Sequence, residues 1–252
     1  MQRSLRVCYP RILLKLSGEA LIDMSHSAQK TDRMSSAIIT RIAKDIREIA
    51  SHKVEVGIVI GGGNWFRGPQ GASIGLSRIT SDYVGMLATG MNALILQDFL
   101  MAQGLEVRII SAGYSNDCTE AFELMRVRRY LKEGKIVIFS GGTGHPFVST
   151  DAAASLRALE IEADILLKAT TVDGIYDGDP NQNAQAKLYT HLSYREVLEA
   201  ELNVMDLAAF IQCRDYNLPI RVFNMNRPQA IIEIIQGKLI GTLVDNKTSS
   251  NA

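Results

Sequence analysis

The sequence has little cysteine, and its three cysteines stand far apart. Cys8, Cys118 and Cys213 form no C-x-x-C pair and no metal-ligand spacing, so neither a disulfide framework nor a zinc site is expected. Scattered thiols in odd number are typical of a reducing compartment, which predicts a cytoplasmic protein. The first ten residues carry no apolar stretch of the kind that a secretory signal needs. No apolar run approaches the roughly 20 residues that span a bilayer, so no membrane association is expected.

An excess of charge of either sign is also missing. Twenty-seven basic residues balance twenty-seven acidic ones, which argues against a protein that binds nucleic acid or a membrane surface through a general basic field. Any bound anion must therefore be held by local groups. An apolar fraction of 46% and a charged fraction of 21% are ordinary for a globular protein. The 252 residues suffice for one large α/β domain without a metal or disulfide staple.

Short β-like runs alternate with longer helical periods along the chain. Strands are predicted at residues 11–17, 54–60, 107–111, 136–140, 165–169, 220–223 and 241–244. Apolar positions at helical spacing predict helices between residues 34 and 49 and between 83 and 95, and further helices are predicted at 151–160, 194–199 and 205–214. A D-x-x-E box at Asp117 and Glu120 predicts the start of another helix, and Pro228 is expected in the first turn of the last one. Residues 170–185 read as a hairpin or long loop and residues 248–252 as a frayed tail. The alternation predicts an α/β fold, a three-layer αβα sandwich around a mostly parallel central sheet. We expect a single domain over residues 1–252, with its core at about 11–244.

Unusual loops follow the predicted strands. They are Ser17-Gly18, Gly61-Gly62-Gly63-Asn64, Gly141-Gly142-Thr143-Gly144 and residues 170–179. Because the carboxyl ends of parallel strands share one edge, these loops are expected to converge there and form a site. Bare main-chain N–H groups in such loops bind phosphate oxygens, and two glycine-rich loops suggest two phosphate-bearing ligands. Neither loop matches the P-loop or the G-x-G-x-x-G pattern.

The cations for such a site come from elsewhere in the sequence. Lys15 and Lys168 each lie near the end of an apolar strand, and Arg67 follows the first glycine triplet. Positioned positive charge supplies much of the catalysis of phosphoryl transfer. Lys15 could instead be a lysine that extends from an edge strand to water, Arg67 a solvated surface residue, and Lys168 a packing residue.

Three further side chains have a chemical and a plain structural interpretation. Asp151 could orient Lys15 or hold Mg²⁺ through water, or it could only cap a helix. Asp82 could accept hydrogen bonds from a sugar or base, or simply lie at the surface. His145 could donate to a phosphate or cap its turn.

Six stretches of the sequence together resemble one family. They are RILLKLSGEAL, VIGGGNWFRG, GMLATGMNAL, GGTGHPFVSTDAAASLRALEIEAD, LLKATTVDGIYDGDP, and VMDLAAF with LPIRVFNMN. In this order and spacing they resemble the bacterial UMP kinases of the amino-acid kinase superfamily, from about Arg11 to Val244. The resemblance implies transfer of a phosphoryl group from Mg²⁺-ATP to UMP in pyrimidine nucleotide and CTP synthesis. It also implies a cytoplasmic homohexamer regulated by GTP and UTP.

The resemblance assigns residues to three sites. The implied ATP site comprises Lys15, Leu16, Ser17, Gly18, Gly63, Arg67, Thr170, Tyr176 and Asp179. The implied UMP site comprises Gly62, Asp82, Thr143, Gly144, His145, Pro146, Phe147, Val148, Ser149 and Thr150. Lys15, Arg67 and Asp151 are the predicted catalytic residues, Arg108 matches an effector contact, and no metal ligands are assigned.

The chain departs from the family pattern in two places. Many relatives carry a G-x-x-G-F-G segment where residues 22–30 here read IDMSHSAQK, which bears on activation by GTP. The family more often has Asn where His145 stands; a neutral His can still donate to a phosphate, and UMP binding could then depend on pH.

Two alternative functions remain open from the sequence. One is that of another kinase of the superfamily, such as an acetylglutamate or carbamate kinase, and the other is that of a non-catalytic nucleotide-binding regulatory or storage protein.

Overall fold

The computed structural model describes residues 7–22, 34–183, 185–202 and 204–247, except for the side chain of residue 69. Of the segment at residues 22–30 only Ile22 is among these, so that departure, like the tail at 248–252, lies outside the described residues.

One sheet runs through the described part of the chain. Its strands are β1 (Arg11–Leu16), β2 (Glu55–Ile60), β3 (Val107–Ser111), β4 (Glu120–Ala121), β5 (Ile136–Ser140), β6 (Ile165–Thr170), β7 (His191–Ser193), β8 (Ile220–Asn224) and β9 (Thr242–Asp245). They lie in the order β4-β3-β5-β2-β1-β6-β8-β9-β7. Among these strands β8 and β9 pair antiparallel, and the other pairs are parallel. The predicted mostly parallel sheet is confirmed.

Helices cover both faces of this sheet. They are α1 (Ser36–Ser51), α2 (Gly68–Ser73), α3 (Arg78–Met101), α4 (Leu124–Lys132), α5 (Thr150–Glu160), α6 (Tyr194–Glu199), α7 (Leu207–Asp215) and α8 (Ala230–Ile235). Side chains alternate between the faces of a strand, and two cores result. One core packs β1 and β2 against α1, α3 and α8, and the other packs the opposite face against α4, α5 and α7. The predicted α/β sandwich of three layers is therefore confirmed.

Two predicted helix starts are wrong. Asp117 and Glu120 open no helix, because α4 begins at Leu124 and Glu123 is the cap whose carboxylate accepts from two main-chain N–H groups. Glu120 instead lies in the short edge strand β4. Pro228 precedes the first turn of α8 rather than lying in it, since the cap residue is Gln229 in a left-handed conformation (φ 61°).

Helix α3 differs from expectation in which side it buries. Four apolar residues of its predicted stripe, Tyr83, Leu87, Met91 and Leu94, are exposed in the single chain, and the fifth, Ile95, packs against the core. Its core-facing side uses small and aliphatic residues, such as Ala93 and Leu96. By length and composition α3 could cross a membrane, contrary to the expectation of no such run. It instead packs along β3 and β5 and against α1, as a core helix of a globular domain does.

Candidate active site

Two neighbouring strands present a lysine at the same level. Leu13 and Leu166 pack into the core under α5, and Lys15 and Lys168 lie two residues further along β1 and β6. Because side chains two apart share a face, both lysines point to the α5 side. They are register partners across the β1–β6 ladder, which brings two ammonium groups together near the carboxyl ends of the strands.

Asp151 lies between these lysines, in the first turn of α5. Lys15 Nζ is 2.9 Å from Asp151 Oδ1, and Lys168 Nζ is 2.9 Å from Oδ2. The side chain of Lys15 is 12% exposed, that of Lys168 is 13% exposed and that of Asp151 is 15% exposed. We call Lys15, Asp151 and Lys168 the charged triad. Its net charge of one positive unit suits a site for anionic phosphates.

Burial and charge act in opposite directions on the carboxyl of the triad. Burial is the largest single effect and raises the pKa of Asp151, but Lys15 and Lys168 together outweigh it, so that pKa lies below its ordinary value. Burial lowers the pKa of Lys168, Asp151 opposes this and Lys15 adds to it. Lys168 also donates to the main-chain oxygen of Val204, which fixes its head group.

The first glycine-bearing turns lie against each other at this edge. A Cβ on Gly18 would come 2.5 Å from Asn64 Oδ1 and 2.7 Å from the main-chain nitrogen of Gly63. A Cβ on Gly62 would come 2.7 Å from the carbonyl oxygen of Gly85 in α3. These contacts are too close for any side chain, so glycine is required for close backbone approach. The expected convergence of the β1 and β2 loops is confirmed.

The loop after β5 uses glycine for a different reason. Gly141 and Gly144 have φ angles of 76° and 82°, which side-chain-bearing residues rarely adopt. The main-chain N–H of Gly141 donates to Thr89 Oγ1 at 2.7 Å, which ties this loop to α3. The loop then runs to Ser149, whose hydroxyl caps α5 by accepting from the Ala152 N–H.

A buried asparagine on α3, which was not among the predicted site residues, holds the glycine triplet. Asn92 is fully buried. Its amide nitrogen donates to the Gly61 carbonyl and to Asn64 Oδ1, both at 2.7 Å, and its oxygen accepts from Trp65 Nε1 at 2.7 Å. The signal was present, since an amide inside the apolar stretch GMLATGMNAL needs buried partners.

A cavity of about 350 Å³ opens between α3, α2 and the loop after β5. We call it the acceptor cavity. The residues of the implied UMP site that line it are Gly62, Asp82, His145, Phe147, Val148, Ser149 and Thr150. Thr143, Gly144 and Pro146 lie on the same loop but do not line the cavity. Gly63 and Arg67, expected at the ATP site, also line it.

Asp82 joins two walls of the acceptor cavity. Its carboxylate accepts from Arg78 Nε at 2.9 Å and from the main-chain N–H of Phe147 at 2.8 Å. Phe147 has a left-handed φ of 67°, and the Arg78 guanidinium lies 5.4 Å from the centre of its ring. Strained residues of this kind persist where surrounding contacts hold them. Asp82 is therefore a structural tie as well as a polar group of the cavity.

A second cavity, of about 440 Å³, lies beyond the end of β6. We call it the donor cavity. Its lining brings together Thr170, Tyr176 and Asp179 of the implied ATP site, and adds Val204 and Val222. Apolar walls with a few polar groups are typical of a pocket for a planar ring and a sugar.

The charged triad lies between the two cavities. Thr170, two residues after Lys168, lines the donor cavity, and so does Val204, the hydrogen-bond partner of Lys168. Thr150, next to Asp151, lines the acceptor cavity. Ligands in the two cavities would therefore meet at the triad.

The turn after β1 supplies main-chain groups rather than side chains. Leu16 is fully buried in the core, so only its backbone can face a nucleotide, and its carbonyl already accepts from Gly61 N at 2.8 Å. Ser17 caps the turn by accepting from the Ala20 N–H at 3.2 Å. Glu19, which the sequence analysis did not single out, forms an ion pair with Arg67.

Arg108 lies apart from both cavities, at the second position of β3. Its guanidinium is 3.8 Å from Glu120 and 5.7 Å from the centre of the Tyr130 ring.

A metal site built from side chains was also sought. The described part of the chain holds no cluster of three or more acidic, His or Cys side chains that could bind a metal ion.

Known proteins resemble this chain over nearly its whole length. The model of the amino acid kinase family matches residues 10–224. The uridylate kinase of Coxiella burnetii is 52% identical over 94% of this chain and 96% of its own, and that of Methylococcus capsulatus is 50% identical over 94% and 97%. The crystal structure of UMP kinase from Bacillus anthracis superimposes with a TM-score of 0.89 at 39% identity, covering 95% of this chain and 97% of that one. The chain therefore belongs to the amino acid kinase family and, within it, to the uridylate kinases.

Proposed function

We propose that this chain transfers the γ-phosphoryl group of ATP to UMP, giving ADP and UDP. The observation that carries the proposal is the placement of Lys15, Asp151 and Lys168 between two cavities at the carboxyl edge of the sheet. The relatives that cover nearly the whole chain bear the names uridylate kinase and UMP kinase, which favours UMP over acetylglutamate or carbamate as the acceptor.

In the proposed reaction ATP occupies the donor cavity and UMP the acceptor cavity. A phosphate oxygen of UMP forms a bond to the γ-phosphorus as the bond to the β,γ-bridging oxygen breaks, and the electron pair leaves with ADP. The ionised UMP phosphate is already a nucleophile, so no side chain needs to remove a proton. The protein supplies alignment and positive charge instead.

Each residue of the charged triad has its own role in this reaction. Lys15 lies beside the glycine-bearing turns and stabilises the charge that spreads over the transferred phosphoryl oxygens. Asp151 holds both lysines, since each of its oxygens faces an ammonium group. Lys168 donates a hydrogen bond to the main-chain oxygen of Val204, and it positions the ATP in the donor cavity. Ser17, Gly18 and Gly63 offer main-chain N–H groups to phosphates.

Magnesium enters this proposal as part of the substrate, Mg²⁺-ATP. Magnesium keeps several waters and takes few protein ligands, so this role requires no acidic cluster. Both oxygens of Asp151 are engaged by lysines, which favours its role in orienting Lys15 over that of a ligand.

The exposed side of α3 bears on how copies of the chain assemble. Exposed apolar residues of α3 follow one another at the spacing of a single helix face: Ile79, Tyr83, Leu87, Met91, Leu94 and Met101. Such a stripe suits burial against a second copy of the chain, and we propose a homohexamer that uses it.

We further propose that the enzyme acts in the cytoplasm, in pyrimidine nucleotide and CTP synthesis. GTP and UTP are its proposed effectors, with Arg108 as one contact.

A coupled assay of ADP release tests the proposed activity. It contains ATP and Mg²⁺ with UMP, CMP, dUMP, acetylglutamate or carbamate in turn. We expect release with UMP far above that with the other acceptors. No release with UMP at any magnesium concentration, or faster release with acetylglutamate or carbamate, would defeat the proposal.

A further inference from the structure

A carboxylate of the chain lies where the glycine triplet would hold a phosphate. Glu19 forms an ion pair with Arg67 through Oε1, and a Cβ on Gly63 would come 2.7 Å from the same oxygen. The carboxylate therefore lies against the open side of Gly63, next to the guanidinium. Because Gly63 and Arg67 both line the acceptor cavity, a phosphate bound by them would meet the carboxylate of Glu19.

Both partners of this ion pair project from backbone that is held in place. Glu19 lies in the turn after β1, where its chain neighbours Gly18 and Ala20 are buried. Arg67 precedes α2, and its main-chain N–H donates to Gln70 Oε1 at 3.0 Å. Rotation of the two side chains alone can therefore open or close the ion pair, while the main chain keeps its position.

The ion pair is weak enough for a phosphate to replace it. The side chain of Arg67 is 56% exposed and that of Glu19 is 44% exposed, and ion pairs so exposed to water add little stability. A phosphate carries more charge than a carboxylate and accepts two parallel hydrogen bonds from a guanidinium, so it is the stronger partner. Arg78 of the same cavity differs, because its partner Asp82 also accepts from the Phe147 N–H and so ties two walls together.

We infer that Glu19 is an internal competitor of the UMP phosphate, which binds Arg67 when no nucleotide is bound, gives it up to UMP, and takes it back as UDP leaves. This inference rests on the proposed function. The ion pair keeps the guanidinium beside Gly63, so the place for the phosphate is prepared before UMP arrives. The same carboxylate lowers the affinity for nucleotide phosphates, which favours release of the product. Glu19 is thus a positioning residue that acts through Arg67.

Calorimetric titrations with UMP, UDP and uridine test the inference. Glu19→Gln keeps the size of the side chain and removes its charge. It is expected to bind UMP and UDP about two- to fivefold more tightly than wild type, the effect of one exposed ion pair. Uridine, which has no phosphate, is expected to bind both proteins alike. Glu199→Gln, which removes the carboxylate of an exposed ion pair with Arg195 in α6, is the matched control and should bind UMP as wild type does.

A double-mutant cycle shows whether Glu19 acts through Arg67. In Arg67→Ala the guanidinium for which the carboxylate competes is gone, and the carboxylate can turn into water. Addition of Glu19→Gln to Arg67→Ala is therefore expected to leave the Kd for UMP unchanged. An equal gain in affinity with and without Arg67 would overturn the inference.

The rate at which UDP leaves gives a kinetic readout. Trp65 is the single tryptophan of the chain and lies two residues after Gly63, so its fluorescence can report the release of UDP in a stopped-flow experiment. Glu19→Gln is expected to release UDP about two- to fivefold more slowly than wild type, since no carboxylate returns to the guanidinium. Release at the rate of wild type, or faster, would contradict the inference.

The possible failures can be told apart. If the wild-type chain does not phosphorylate UMP, the proposed function fails and the inference falls with it. If UMP is phosphorylated but Glu19→Gln binds it no more tightly than wild type does, Glu19 does not compete with the phosphate, and only the inference fails. Weaker binding of UMP would make Glu19 a support for Arg67 alone. An equal gain for uridine would trace the effect to a part of the ligand other than the phosphate, and both results would overturn the inference.

Discussion

Lys15 and Lys168 lie opposite each other in adjacent parallel strands and bind the two oxygens of one carboxylate, Asp151, at 2.9 Å each. Neither lysine could be buried at this position without the acid, because two like charges would face each other in a region poor in water. The acid in turn leaves one positive charge uncompensated. That charge lies where the two cavities meet, and phosphoryl oxygens can neutralise it.

Removal of the Lys15 ammonium should affect the chemical step more than binding. We expect Lys15→Ala to lower kcat about 10²- to 10³-fold, as loss of one positioned charge does, with a smaller change in the KM for UMP. Steady-state kinetics with ATP and UMP measure this, and Lys44→Ala on the exposed side of α1 is the matched control. A large rise in KM with kcat unchanged would make Lys15 a binding residue only.

The acid of the triad should stabilise the fold in a way that depends on pH. The pKa of Asp151 is below its ordinary value of 3.8, so between the two values the unfolded chain binds more protons and stability rises with pH. Its contribution is complete above about pH 5 and is lost as pH falls through the folded value. We expect Asp151→Asn to lower the free energy of unfolding by about 3 kcal/mol at neutral pH, and by progressively less in acid.

Urea unfolding of Asp151→Asn and wild type from neutral pH to about pH 3 checks this expectation. Asp117→Asn, at an exposed position outside the helices and strands, controls for the general effect of removing a carboxylate. A difference between wild type and Asp151→Asn that stays constant over the whole range would contradict the lowered pKa.

Arg67 lines the acceptor cavity, although the sequence analysis grouped it with the ATP site. We therefore expect Arg67→Ala to raise the KM for UMP about 10- to 100-fold, the value of a hydrogen bond to a charged group, and the KM for ATP by less. Arg47→Ala, an exposed arginine of α1, is the matched control. If only the KM for ATP rises, Arg67 serves the donor phosphates.

The exposed stripe of α3 should control the oligomeric state. Leu87, at its centre, is 57% exposed in the single chain, and a carboxylate there would be buried without a partner in an interface between copies. We expect Leu87→Glu to give a smaller assembly than wild type in analytical ultracentrifugation. Lys44→Glu, on the exposed side of α1, is the matched control and should not change the mass. An unchanged mass for Leu87→Glu would remove α3 from the interface.

Much of the fold followed from the sequence, because apolar strands and helical periods are local signals. The edge of the sheet that carries the site could also be predicted from the sequence. Parallel strands bring their carboxyl ends together, so the glycines after β1, β2 and β5 could be placed at that edge without coordinates. The two lysines could be recognised because a charge in an apolar run needs a reason.

Other features depended on contacts that are distant in sequence. The register that puts Lys15 beside Lys168 joins residues 153 apart, and no local pattern encodes it. The apolar positions of α3 predicted a helix, but they could not tell an inner face from an outer one, because small residues such as Ala93 pack closely against the sheet while larger ones remain exposed. The D-x-x-E box failed because Glu123, three residues further along, is the better cap for α4.

If two nucleotides lie end to end across the charged triad, a single molecule that joins adenosine to uridine through a chain of phosphates should occupy both of their sites. Inhibition by such a bisubstrate compound is measured against ATP and against UMP. We expect competition with both substrates, one molecule bound per chain, and much weaker binding to Lys15→Ala. Competition with only one substrate, or two molecules bound per chain, would contradict it.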